Sequence, residues 1–310
     1  MAGKSPTERL LADGAGIARA VELLRGGGLV AVPTETVYGL AARADSAAAV
    51  ARIYEAKGRP GFNPLIVHVA SQEEAERLAE WPAPARELAA AHWPGPLTLV
   101  LPRRRDANLA QAVSAGLPTL ALRCPAHPVM RAVLATLAIP LAAPSANRSG
   151  FVSPTTAEHV LATLEGRIDA VLDGGACPGG LESTIAAVRS DGRIEVLRPG
   201  PIIFHAVAGG EGAVEAPGQL ASHYAPGKPV RLDAIVAEEG EFLIGFGVVE
   251  GHCTLSAHGD PDEAAARLYA CLHEASRAPF PRIAVAPIPD DGLGIAINDR
   301  LRRAASPSAD

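Results

Sequence analysis

The sequence predicts an α/β protein: a twisted open sheet with flanking helices, joined by a linker to a smaller, Rossmann-like α/β domain. Three observations carry this expectation. Leu29 to Val69 reads LVAVPTETVYGLAARADSAAAVARIYEAKGRPGFNPLIVHV, which gives strand, polar loop, helix, basic loop, strand, the order of a βαβ unit. A second run of alternating strands and helices begins at Phe242 and closes at Ala304. Between them Ala208 to Pro229 is rich in Gly, Ala and Pro and reads as a connector. The expected organisation is a larger domain over 1–207, a linker or lid over 208–229 and a small C-terminal domain over 230–310.

In order along the chain, Gly14 to Arg25 is a helix with Ile17, Val21 and Leu24 inward, ended by Gly26-Gly27-Gly28. The apolar run Leu29 to Val32 stops at Pro33 and opens into the polar turn Thr34-Glu35-Thr36. A helix from about Ser46 to Ala56 carries Val50, Ile53 and Tyr54 on one face, before the loop Lys57-Gly58-Arg59-Pro60 and the strand Leu65 to Val69. Ser71 to Glu74 is a capping box that opens a helix expected to reach Glu80. Pro84 starts another helix, through Ala91, and Trp93-Pro94-Gly95-Pro96 turns the chain into a buried strand, Leu97 to Leu101. Thr119 to Arg123 is a strand, His127 to Leu137 a helix, and Pro140 to Ala143 a short strand ending in Pro144-Ser145-Ala146-Asn147. Thr155 or Thr156 caps a helix to about Leu164, and Ala170 to Leu172 is a strand before Gly174-Gly175. Ser183 to Val188 and Ile194 to Leu197 flank Asp191-Gly192 as a hairpin. The connector holds Ser222-His223-Tyr224-Ala225-Pro226. Beyond it come a strand at Phe242 to Phe246, a helix at Asp262 to Ser276, a strand at Ile283 to Ala286 and a helix at Gly294 to Ala304.

Bulk properties narrow the function. An apolar content of 48% with 20% charged residues is that of a folded globular chain, and a net charge of −6 argues against a protein that coats nucleic acid. Cys124, Cys177, Cys253 and Cys271 form no CxxC and no His/Cys cluster, so structural zinc is not expected and a reduced, cytoplasmic, membrane-free protein is. Lys4, Lys57 and Lys228 are the only lysines among 28 basic residues, so Lys57 beside Arg59 in a Gly/Pro loop stands out. A compact ammonium serves as a point charge where Arg offers a flat fork. Polar clusters follow several short strands: Thr34 to Thr36, Arg123, and Ser145 to Asn147. In open α/β sheets ligands bind beyond the carboxyl ends of strands, which would bring these clusters into one pocket. Neither a GxxxxGKS phosphate loop nor a GxGxxG at a strand–helix junction is present, so a nucleotide would need another kind of site.

PTETVYGL, AKGRPGFNPLIVHV, WPGPLTLVL, LALRCPAHP, PLAAPSANRSG, LESTI and VLRPGP occur in the order and spacing of the YrdC-like threonylcarbamoyl-AMP synthases, which this chain resembles. SHYAPGKP and the closing GLGIAINDRLRRAA are similar to the two-domain form. The resemblance implies a YrdC-like fold for the larger domain and a nucleotidyl transfer: L-threonine, bicarbonate and ATP give L-threonylcarbamoyl-AMP and pyrophosphate. It also implies a downstream transferase that passes the group to adenosine beside the anticodon of tRNA. The signature residues it implies as catalytic fall on Lys57, Arg59, Ser145 and Asn147. The implied ATP contacts are Arg59, Asn63, Thr119, Ser145, Ser153, Arg198 and Tyr224, and the implied threonine pocket is Thr36, His68, Arg123, the Ala143 backbone and Ser183. Mg²⁺ is expected to arrive with ATP rather than in a protein cage, since no acidic ligand cluster appears. The alternatives are a carbamoyltransferase-type YrdC-like module and a double-stranded-RNA binder, the second allowing a weak RNA contact.

Overall fold

The computed structural model describes residues 6–189, 191–204, 207–208, 215–219 and 223–306. Two sheets organise them. The larger has eleven strands and begins with β1 (Glu8–Leu11), α1 (Gly14–Arg25), β2 (Val30–Val32), β3 (Gly39–Arg43), α2 (Ala47–Lys57) and β4 (Ile66–His68). It continues through α3 (Gln72–Glu76), α4 (Ala83–His92), β5 (Leu97–Pro102), β6 (Thr119–Arg123), α5 (Pro128–Leu137), β7 (Leu141–Ala142) and α6 (Ala157–Leu164). β8 (Ala170–Asp173), β9 (Thr184–Val188), β10 (Ile194–Arg198) and β11 (Val207–Ala208) complete it, in the order β1-β8-β2-β3-β7-β4-β6-β5-β9-β10-β11.

The local chemistry that sets these elements is mostly the chemistry read from the sequence. Asp13, Ser46, Ser71 and Thr156 each accept a backbone N–H at a helix start. Gly58, in the left-handed region at φ 61°, ends α2 and turns the chain into the Arg59 loop. Two expectations change. The helix after Ser71 stops at Glu76 instead of reaching Glu80, because Leu78 and Ala79 turn into the core and Ala79 bridges to Arg103. Gly39–Arg43, read from sequence as loop, is the strand β3, paired antiparallel with both β2 and β7. Its Gly and Ala residues have poor strand propensity, but all of its first four residues are buried, and burial between neighbours decides. The charged edge strand β1 was also not expected.

Strand alternation divides the sheet into three packing zones. Ala31, Leu40, Val67, Leu99 and Leu122 point to the face covered by α2, α4 and α6. Val30, Val32, Leu141 and Leu172 point the other way, against α1 and α5. On that same second face, Ile66, Val100, Ala121, Ile185 and Ala187 are covered by no helix; Ala216 of the connector packs there instead. This helix-free zone is where the candidate site lies.

The smaller sheet is parallel throughout, in the order β12-β15-β13-β14, formed by β12 (Val230–Arg231), β13 (Glu241–Gly245), β14 (Cys253–Thr254) and β15 (Arg282–Val285). α7 (Pro261–Arg277) and α8 (Gly294–Ala305) pack on it through Leu268, Leu272, Ile297 and Leu301. Its core runs on into Val37, Val152, Leu181 and Tyr224, so the two domains share a continuous apolar contact. Gly180, at φ 68°, allows it: a Cβ there would sit 2.2 Å from the Ala265 carbonyl of α7. No helix among the described residues is long and apolar enough to cross a membrane.

Across that contact His159 of α6 stacks on His273 of α7 with centroids 3.8 Å apart, and His273 Nε2 donates to the Ser153 carbonyl at 3.1 Å. Burial, with the nearby Arg277 charge, lowers His159 to about 4; burial, His159 and Arg277 lower His273 to about 3. Both are therefore neutral in the folded protein at a pH where the unfolded chain, near 6.5, already takes up protons. The unfolded state then binds more protons, so this contribution is complete above about pH 6.5 and is lost as pH falls toward 4. The melting temperature should drop across that interval, and His159→Phe/His273→Phe should flatten the pH dependence measured by thermal unfolding; an unchanged slope would remove the pair as its cause.

Candidate active site

The Thr34-Glu35-Thr36 turn leaves β2 as a hydroxyl-stabilised loop. Thr34 Oγ1 accepts from the Thr36 and Val37 backbone N–H groups and donates to the Val37 carbonyl, and it lies 2.9 Å from Thr36 Oγ1. His68 and Arg123 end the parallel strands β4 and β6 in register, so both side chains stand on the helix-free face. Arg198 ends β10, which runs antiparallel to β9, and this brings it back to Ser183 at the start of β9. Its Nε and Nη2 donate to the Ser183 carbonyl at 3.1 and 2.9 Å, and Nη2 also reaches Ser183 Oγ at 3.1 Å.

These residues enclose one cavity. Thr36, Gly39, Arg59, Ile66, His68, Arg123, Ala143, Ser145, Glu182 and Arg198 form its floor and walls, and Pro217, Gly218, His223 and Tyr224 of the connector its roof. The expectation of a crevice beyond the strand ends is corrected: the cavity lies over a face of the sheet, with mid-sheet Ile66 in its floor. A mixed sheet whose second face is only part-covered by helices leaves that zone open to a roofing loop. Gly218 at φ 85° fits where a Cβ would meet Arg198 at 2.9 Å and the Tyr224 hydroxyl at 3.0 Å. Tyr224 itself is held at φ 64°, a left-handed conformation costing about 1–3 kcal/mol for a non-glycine residue.

Of the sequence-predicted residues, Thr36, Arg59, His68, Arg123, Ala143, Ser145, Arg198 and Tyr224 line the cavity; Lys57, Asn63, Thr119, Asn147, Ser153 and Ser183 do not. Thr119 shares the face of Arg123, four residues and about 13 Å farther along β6. Ser183 Oγ pairs with Thr98 Oγ1 at 2.7 Å, and Ser153 Oγ donates to Glu182 at 2.6 Å. Lys57 is 2% exposed, and its ammonium donates to the carbonyls of Ser145 and Asn147 and to Asn147 Oδ1. Asn147 Oδ1 in turn accepts from Ser145 Oγ at 2.6 Å, and its Nδ2 donates to the Phe151 carbonyl. The Lys that stood out among arginines thus occupies a place where one point charge meets three converging acceptors. Burial, and Arg59 beside it, push its pKa well down.

Electrostatics set the rest. Burial lowers Arg59 to about 10, while its Nε and Nη2 donate to the carbonyls of Asn63 and Pro64. Burial and the Arg123 charge hold His68 down to about 3, a neutral ring, and its Nδ1 is buried without a hydrogen-bond partner. The Tyr224 hydroxyl and Asn63 Oδ1 are likewise buried and unpartnered. Such atoms are rare in folded proteins, and here His68 and Tyr224 face the cavity. Two carboxylates belong here: Glu35, which the sequence marks only as part of the polar Thr34 to Thr36 turn, and Glu182, which it does not single out. Glu35 pairs with Arg123 Nη2 at 2.6 Å; burial raises its pKa, but Arg123 outweighs this and the group ends below its ordinary value. Glu182 sits in the wall itself, next to the predicted Ser183 in the LESTI motif, though no local pattern marks a carboxylate as buried.

The Sua5/YciO/YrdC family model, described as "Telomere recombination", matches residues 22–200, and the model of the threonylcarbamoyl-AMP synthase C-terminal domain matches residues 184–306. The chain belongs to the threonylcarbamoyl-AMP synthase family. It is similar to the threonylcarbamoyl-AMP synthase of Bacillus subtilis, at 39% identity covering 96% of this chain and 95% of that one. The Pyrococcus abyssi enzyme is 38% identical, covering 92% and 93%. A crystal structure of P. abyssi Sua5 complexed with L-threonine superposes with a TM-score of 0.88 at 35% identity, over 97% of this chain and 98% of that one.

Removing the Lys57 ammonium would leave the Ser145 and Asn147 carbonyls without it and take one of two donors from Asn147 Oδ1. Lys57→Met should therefore destabilise the fold by about 1–3 kcal/mol, read from urea unfolding midpoints. Lys57→Arg should not restore it, because a planar fork cannot converge on the same three oxygens. A midpoint unchanged in Lys57→Met would mean that the clamp contributes nothing to the fold.

Proposed function

We propose that the chain synthesises L-threonylcarbamoyl-AMP from L-threonine, bicarbonate and ATP, releasing pyrophosphate. The observation that supports this most directly is the cavity: buried cations, a neutral histidine and unpartnered polar atoms lie on one sheet face of a threonylcarbamoyl-AMP synthase family member. Threonine lies at the Arg123 end, its carboxylate on the guanidinium and its hydroxyl among Thr36, His68 and Ser183. ATP runs along the face toward Asn63, Ser145 and Thr119, with Arg59 and Arg198 on its phosphates and Ser153 and Tyr224 beside it. The neutral amine of threonine takes up carbon dioxide derived from bicarbonate and loses a proton, giving the carbamate. A carbamate oxygen then attacks the α-phosphorus, the bond to the bridging oxygen breaks, and pyrophosphate leaves. Catalysis rests on positioning and fixed positive charge rather than on a covalent nucleophile. Lys57 contributes its charge from behind the wall and holds Ser145 and Asn147 in place. Mg²⁺ comes as part of the nucleotide substrate, and the product goes to a transferase acting on tRNA.

The cavity volume of about 40 Å³ holds a few water molecules and cannot hold both substrates, so the roof must open to admit them. The connector residue Ser222 lies outside the described residues, but His223 and Tyr224 beside it form part of that roof. Closing the roof over the nucleotide excludes water from an anhydride that water destroys.

Pyrophosphate release should require ATP, threonine and bicarbonate together; equal release without threonine would overturn the assignment. Serine, short of one methyl group worth about 1–3 kcal/mol, should react weakly, whereas valine leaves the hydroxyl's partners unpaired and should be rejected by up to about 10⁴ in kcat/KM. Tyr224→Ala should weaken ATP binding and increase hydrolysis of the intermediate beyond the loss of stability that truncating a buried ring brings, and wild-type behaviour in both assays would reduce the connector to a tether.

A further inference from the structure

The Glu182 carboxylate belongs to both domains. Its backbone leads into β9, and its side chain lines the cavity. Oε1 accepts from Ser153 Oγ at 2.6 Å and from the Tyr269 hydroxyl at 3.0 Å. Oε2 accepts from Tyr269 at 2.8 Å and from Arg300 Nε at 3.0 Å. Tyr269 lies on α7 and Arg300 on α8, so two of its three donors come from the smaller domain. Arg300 is 0% exposed, and its guanidinium stands 5.5 Å from the centre of the Tyr224 ring, which also stacks on the Tyr269 ring at 5.7 Å and meets the His223 ring edge-on at 4.1 Å. Asp299 also pairs with Arg300 at 2.8 Å. A buried arginine, two buried tyrosines and a buried carboxylate thus meet at the edge of the cavity, and among the described residues the Tyr224 hydroxyl and Arg300 Nη2 are left without a hydrogen-bond partner.

A fully donated carboxylate is fixed in direction. Freed from Tyr269 and Arg300, a charged group in the cavity wall would turn toward the space that the phosphates of a nucleotide need, and Ser153 and Tyr224 would lose their support. We propose that Tyr269 and Arg300 are positioning residues for nucleotide binding: they hold Glu182 away from the phosphate path and, through it and the Tyr224 ring, present Ser153 and Tyr224 to ATP. This rests on the assignment of Ser153 and Tyr224 to the nucleotide made above. It gives the smaller domain a part in the site of the larger one, which a lid alone would not require.

Tyr269→Phe is the sharpest variant, because it keeps the ring stacked on Tyr224 and removes only the hydroxyl. KM for ATP should rise about five- to tenfold, the loss of hydrogen bonds to a charged group, while KM for threonine stays within about twofold. Arg300→Met should raise KM for ATP further, and Arg300→Lys should recover part of that loss. Glu182→Gln/Arg300→Met should bind ATP better than Arg300→Met alone, since removing both partners costs less than stranding one charge. Equal rises in both KM values, or an unchanged KM for ATP with only a lowered melting temperature, would reduce the network to a structural joint and overturn the proposal. If the wild type releases no pyrophosphate in response to threonine, the functional assignment fails separately. The proposal is then decided by calorimetric ATP binding: weaker binding by Tyr269→Phe upholds it, and equal binding overturns it.

Discussion

Buried positive charge is the constraint on which this structure turns. Lys57, Arg59, Arg123, Arg198 and Arg300 are all nearly inaccessible to water, and each must be satisfied by the protein itself. Stripping an ion of water costs several kcal/mol even after relaxation, so each cation is matched to carbonyls or to a carboxylate. Lys57 takes the carbonyls of the Ser145–Asn147 turn, Arg59 those of Asn63 and Pro64, and Arg198 that of Ser183. Arg123 and Arg300 take Glu35 and Glu182. Neutral acceptors orient a cation without cancelling its charge. Much of the field of Lys57, Arg59 and Arg198 is therefore left for an anionic substrate, which is what the proposed reaction between carbamate and triphosphate needs.

The backbone explains why these charges converge. Residues two apart along β4 and β6 share a face, so Ile66 with His68, and Ala121 with Arg123, line one surface. α1 and α5 cover only part of that face, and the remainder is closed by the connector rather than by a helix. A loop roof can move where a packed helix would not, so the same gap in helical cover accounts for both the candidate site and its proposed route of access. The left-handed Tyr224, stacked on Tyr269 and tied through Ala225 N–H to the Gly150 carbonyl, shows that this roof is also anchored in both domains.

The elements legible in the sequence are those with a strong local signal. Helix caps at Ser71 and Thr156, the turn at Asp191-Gly192 and the apolar runs of β2, β4 and β5 declare themselves through hydrogen-bonding side chains or unbroken burial. β3 did not, because Gly39-Leu40-Ala41-Ala42 carries no strand preference and is a strand only through β2 and β7 on either side. Motif order and spacing carried the family and, by resemblance, the set of polar residues to watch. Lys57 was conspicuous by its type.

The sequence by itself determined the α/β class, the connector, the family and the polar residues proposed for the site, since these depend on periodicity, turn chemistry and motif spacing along the chain. Only the tertiary structure decided what each charge faces. It turned Lys57 from the cavity to the turn behind it, set Glu35 against Arg123, and brought Tyr269 and Arg300 to Glu182, which lies 118 residues before Arg300. The reason is physical: a residue's type fixes its charge and reach, but desolvation and partner geometry belong to the packed interior, and no stretch of sequence contains both sides of a long-range contact.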